Sequence, residues 1–144
     1  MIKILLAVDG SESAVRATRT VVELATRYKE VPHIELATVH RPVPYLGRLS
    51  GVVVSKDMVR SYYDEEGERA LAPCAKILAD AGIPFAAQTL VGEIAQTIVH
   101  HAHESGCAMI CMGTRGLSAI PGLVLGSVAT QVLHVADVPV MLVR

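Results

Sequence analysis

A chain of 144 residues can bury a core without disulfides or metal, and its formal net charge of −1 excludes the basic excess of a general nucleic-acid binder. Hydrophobic residues make up 51% of it, yet there are only four Tyr, one Phe and no Trp, so Val, Ile, Leu, Ala and Met must build the core. No apolar stretch approaches the roughly 18 residues of a membrane span, and MIKILLAVDG is too short for a signal peptide, so the expected setting is cytoplasmic, with no membrane partner.

Ile2 to Val8 is an aliphatic run broken only by Lys3 and closed by Asp9-Gly10, the pattern of a strand buried on both faces. Ser11 or Ser13 can cap the helix that follows, to about Tyr28, with Ala14, Ala17, Val21 and Leu24 or Ala25 on its apolar stripe. His33 to Val39 is a second, more polar strand. Arg41 to Lys56, with two prolines and two glycines, is the one long irregular segment. Asp57 opens a helical region to about Ala81, and Pro73 inside it predicts a kink or break near Ala70 to Pro73. Pro84 to Val91 is a third strand, Gly92-Glu93 leads into a helix to Ser105, and Cys107 to Met112 is a fourth strand. Gly113 to Leu125 is a glycine-punctuated loop, Ser127 to Ala136 a short helix, and Val138 to Val143 a last strand. The cysteines lack CxxC and zinc spacings. Cys107 and Cys111, four apart, are expected on one strand face as small core residues.

Five strands alternating with four helical segments predict one three-layer, Rossmann-like α/β domain over residues 1–144, with a parallel sheet between helices. The two most apolar strands, first and fourth, belong side by side, which gives the order 3-2-1-4-5. Ligands of such sheets bind at the carboxyl ends of the strands where the order reverses. There the sequence has Asp9-Gly10 and Gly113-Thr114.

The loop after the fourth strand reads Gly113, Thr114, Arg115, Gly116, nine residues, then Gly126 and Ser127. Glycine admits positive φ and lets amide groups approach an anion, and a helix opening at Gly126-Ser127 adds free N–H groups and partial positive charge. Ser127 can add its hydroxyl or cap the helix, and Arg115 could supply a mobile cation. On residues alone, the same glycines could serve only to turn the chain and start a helix.

The spacing G-2x-G-9x-G-S resembles the ATP-binding signature of the universal stress protein family. The resemblance extends to the opening ILLAVDGSESA, VGE before the third helix, MGTRG, LGSVATQVL and the closing VPVMLVR. It implies an ATP-binding, stress-response or regulatory homodimer in which nucleotide occupancy alters the dimer or a partner surface. It also implies that Asp9 lies near the ribose or a bound Mg²⁺, and that Ala7 and Val8 flank the base. Main chain at His40 or Arg41 would contact adenine, while Met112, Gly113, Arg115, Gly116, Gly126, Ser127 and Val128 take the phosphate side. The chain departs from the family pattern at Arg41-Pro42, where an aliphatic residue usually follows His. Residues 138–143 form the strand through which such dimers join, and an apolar edge strand independently calls for a cover.

His100 and His103 are expected to point away from the apolar face of the third helix, with His101 near its boundary, as solvated residues rather than metal ligands with Glu104. No nucleophile–base pair, GxSxG, HExxH, Walker A or Rossmann GxGxxG is present, so no catalytic residue is assigned. A slow ATPase or self-phosphorylating enzyme, and a member that binds no nucleotide and acts through protein contacts, are the alternatives.

Overall fold

The computed structural model describes residues 1–43, 54–117 and 120–144. Among the described residues nine elements alternate: β1 (Lys3–Ala7), α1 (Glu12–Ala25), β2 (His33–His40), α2 (Lys56–Asp80), β3 (Phe85–Val91), α3 (Ile94–Glu104), β4 (Met109–Gly113), α4 (Ser127–Val135) and β5 (Val140–Val143). The strands form one parallel sheet in the order β3-β2-β1-β4-β5, as the sequence predicted.

Strand alternation divides the core in two. Ile4, Leu6 and Val8 pack with Ile34, Leu36 and Cys111 beneath α1 and α2. Leu5 and Ala7 pack with Ala37, Ile110 and Met112 beneath α3 and α4. With strands on both sides and helices on both faces, β1 is closed to water: Leu5 and Leu6 are fully buried. Short aliphatic side chains suit this role, because helices must lie close on a sheet layer.

Ser11, rather than Ser13, caps α1; its Oγ accepts the Ala14 N–H at 3.2 Å. Of the kink or break expected near Ala70 to Pro73, the break does not occur, since α2 runs continuously from Lys56 to Asp80. Pro73 is on the exposed side, as is Arg69, whose carbonyl loses its helical partner there. Water can take that bond, so the helix continues.

Cys107 and Cys111 do not share a face. Cys111 joins the core under α1 and α2, and Cys107 joins the one under α3 and α4. The strand begins only at Met109, and Cys107 still belongs to the turn closing α3, its N–H bonded to the Ala102 carbonyl at 2.8 Å. Strand alternation therefore does not reach it. All three cysteines are buried and free, in keeping with a core role. Burial pushes the Cys111 thiol up to about 12.

Candidate nucleotide-phosphate site

A cavity of about 410 Å³ opens where β1, β2 and β4 end, beside the first turns of α3 and α4. It lies at the reversal of strand order. Of the residues singled out from the sequence, Ala7, Val8, Asp9, His40, Met112, Gly113, Arg115, Gly116, Gly126, Ser127 and Val128 line it. Arg41 stands outside the lining. Its guanidinium reaches Glu93 at 3.6 Å in a pair more than half exposed on both sides.

The floor of the site is the N-terminus of α4. Gly126 is its cap residue and offers no side-chain acceptor, so Ser127 is the first helical residue and not the cap. The first helical bond runs from the Thr130 N–H to the Gly126 carbonyl at 3.1 Å. The amides of Ser127, Val128 and Ala129 thus have no acceptor within the helix, and all three residues line the cavity. Their dipoles sum with that of the helix to favour an anion. Arg115 lies beside it on the loop, its Cα 3.5 Å from where a Cβ on Gly126 would stand, and its guanidinium makes no ion pair among the described residues.

Gly113 and Gly116 work by close approach, not by positive φ. Positive φ in this stretch belongs to Gly122. A Cβ on Gly113 would overlap Ser13 Oγ and lie 2.8 Å from Ser13 Cβ and 2.9 Å from its carbonyl carbon. On Gly116 it would lie 2.8 Å from Asp9 Oδ2. On Gly126 it would meet only ordinary contacts, the nearest being the Thr114 carbonyl oxygen at 3.4 Å. That same carbonyl accepts the Gly126 N–H at 2.6 Å and ties the two ends of the loop together. Asp9 is fixed as well, its Oδ1 accepting the Ser11 N–H at 2.9 Å.

The other half of the cavity is apolar and was not legible as such in the sequence. Ala37, Val39, Ile94, Ile98 and Ala129 line it. Beside them β2 outruns β1. The β1–β2 register ends at Ala7–Ala37, with one further bond from Val8 N–H to the Ala37 carbonyl, whereas β2–β3 pairing continues to His40–Val91. The His40 carbonyl is taken by the Gly92 N–H at 2.9 Å, on the β3 side. Alternation therefore turns the N–H and C=O of Val39 towards the side where β1 has ended. Among the described residues, the buried side-chain polar atoms without a partner are His40 Nε2 and Thr114 Oγ1, both from residues of this lining.

No group of three or more His, Cys, Asp or Glu is placed to hold a metal among the described residues. His100 and His103 are exposed and His101 partly so, as expected, and His103 lies 3.4 Å from Asp137. Among those residues no helix is long and apolar enough to cross a membrane.

The family model described as the universal stress protein family matches residues 1–144. The chain is 31% identical over 149 aligned residues to universal stress protein YxiE of Bacillus subtilis, covering 99% of this chain and 98% of that one. The solved structure of hypothetical protein MJ0577 superposes with a TM-score of 0.81 at 25% identity, covering 99% of this chain and 94% of that one. That of the universal stress protein from Archaeoglobus fulgidus in complex with dAMP gives 0.68 at 25% identity, covering 100% and 98%.

Proposed function

The chain belongs to the universal stress protein family, and from that premise we propose that it binds ATP in the cavity between β1, β4 and α4. The observation carrying this reading is the uncapped N-terminus of α4, whose amides of Ser127, Val128 and Ala129 line one wall with Arg115 nearby. A phosphate chain is the ligand that satisfies such a set. The apolar half of the cavity suits a purine ring, and the Val39 main chain offers one donor and one acceptor for its edge. The Archaeoglobus fulgidus relative bound to dAMP supports an adenine nucleotide.

Mg²⁺ would accompany the phosphates beside Asp9. No protein cluster completes a metal shell there among the described residues, so phosphate oxygens and water would supply the remaining ligands. In this reading nucleotide occupancy acts through a homodimer joined along β5, in the cytoplasm, where Mg-ATP is available. Residues 44–53, the greater part of the long irregular segment, lie outside the described residues.

Isothermal titration with ATP and Mg²⁺ tests the proposal. Heat of binding is expected, weakened by Gly116→Val, which would drive a side chain into Asp9. The absence of heat with any adenine nucleotide would overturn it and favour a member acting through protein contacts alone. Phosphate release that disappears in Asp9→Ala would turn the reading from a regulatory module to a slow ATPase.

A further inference from the structure

Ser13 does not line the cavity, yet it touches both sides of the turn that shapes it. It sits in the first turn of α1 and is only 4% exposed. Its Oγ accepts the Arg115 N–H at 3.5 Å, a bond joining residues 102 apart in the chain. The same side chain occupies the space that a Cβ on Gly113 would need. Two steps away, Asp9 Oδ2 lies against Gly116 while Oδ1 holds the Ser11 amide. The β1–α1 turn is therefore keyed into the β4–α4 loop at two points, Ser13 against Gly113 and the Arg115 amide, and Asp9 against Gly116.

We propose that Ser13 is a positioning residue for the phosphate end of the site, an inference that rests on the nucleotide reading above. By holding the Arg115 amide it fixes the backbone between Gly113 and Gly116, so that Gly116 and the Arg115 side chain face the open amides of α4. The apolar end is formed by Val39, Ile94 and Ile98, none of which is among the hydrogen-bond partners of Ser13 or Asp9 in the described residues. Loss of the hydroxyl thus weakens capture of phosphate and leaves capture of the nucleoside unchanged. A residue that merely supported the fold would affect both ends alike.

The test titrates wild type and Ser13→Ala with ATP, inorganic tripolyphosphate and adenosine. The expected loss is about threefold to tenfold for ATP and tripolyphosphate, the range of one hydrogen bond, with adenosine affinity unchanged. Amide exchange read by NMR gives a second measure: the Arg115 amide should exchange faster in Ser13→Ala, while amides of β2 keep their rates. Equal weakening of all three ligands would overturn the proposal, and so would unchanged tripolyphosphate affinity with unchanged Arg115 exchange. In either case wild-type ATP binding would stand. Failure of wild type to bind ATP at all would instead remove the nucleotide reading and this inference with it.

Discussion

Gly113→Ala puts the loop geometry under the most direct strain. The new methyl would lie 2.8 Å from Ser13 Cβ and 2.9 Å from its carbonyl carbon, and it would overlap Oγ. Carbon atoms sit comfortably at about 3.5 Å, so β4 and the first turn of α1 must part by roughly 0.6 Å. Backbone as well as side chain is in the way, and Ser13 is held in a capped, buried turn. The penalty is that of overpacking, about 1–3 kcal/mol. For a domain of this size it corresponds to a fall in Tm of roughly 3–10 °C. Urea denaturation of Gly113→Ala, Ser13→Ala and the double variant measures the effect and its source. Ser13→Ala removes Oγ but leaves Cβ and the carbonyl carbon, so the double variant should recover about 0.5–1.5 kcal/mol of the Gly113→Ala loss, and not all of it. A Gly113→Ala protein within about 0.3 kcal/mol of wild type, or strict additivity in the double variant, would refute this account of the glycine.

The three glycines of the loop should not behave alike: Gly126→Ala meets only ordinary contacts and should change stability by less than about 0.5 kcal/mol. Gly116→Ala should also remain near wild type in stability, because it meets a single side-chain oxygen, Asp9 Oδ2, and no backbone, but should bind Mg-ATP more weakly by titration. If β5 pairs with a second copy, the outward amides of Val140 and Leu142 should exchange more slowly as protein concentration rises. Those of Met141 and Val143 face β4 and should be slow throughout; rates independent of concentration would exclude strand pairing. The Cys111 thiol, held neutral by burial, favours the fold only while the unfolded thiol is also neutral. From about pH 9 the unfolded chain releases that proton and the folded one retains it up to about 12. The stability contributed by this site should then fall by up to about 1.4 kcal/mol per pH unit in that window. Urea denaturation at pH 8 and 10.5 should show the gap between wild type and Cys111→Ala closing by on the order of 2 kcal/mol at the higher pH. An unchanged gap would contradict the buried, neutral thiol.

Much of the fold could be read from the sequence because its signals are local. The aliphatic runs of β1 and β4 identify the central pair, and the strand order follows from their neighbours. The same reading reached the cavity, since strand ends and the reversal of order depend on topology alone. Other features depend on where elements stop in space. Ile94 and Ile98 read as ordinary helix core, and only the early end of β1 makes them a cavity wall. Cys107 falls on the other face from Cys111 because the turn closing α3 extends two residues into an apolar run. Pro73 predicts a kink or break near Ala70 to Pro73, but it falls on the exposed side of α2, where the helix continues past it. The need for glycine at position 113 comes from a serine 100 residues away, which no loop pattern reveals.

The overrun of β2 past β1 leaves a step in the top edge of the sheet. A planar ligand seated on that step would take the place of the next residue of β1, extending the ladder by one rung that the chain itself does not supply. What the step offers is main chain, carried by every residue, so side chains at the end of β2 can change without altering the offer. The arginine that stands at position 41, turned outward to Glu93, is compatible with such a rung in the same way as any aliphatic residue. Proline is the exception: at position 39 it would delete the donor and close the step.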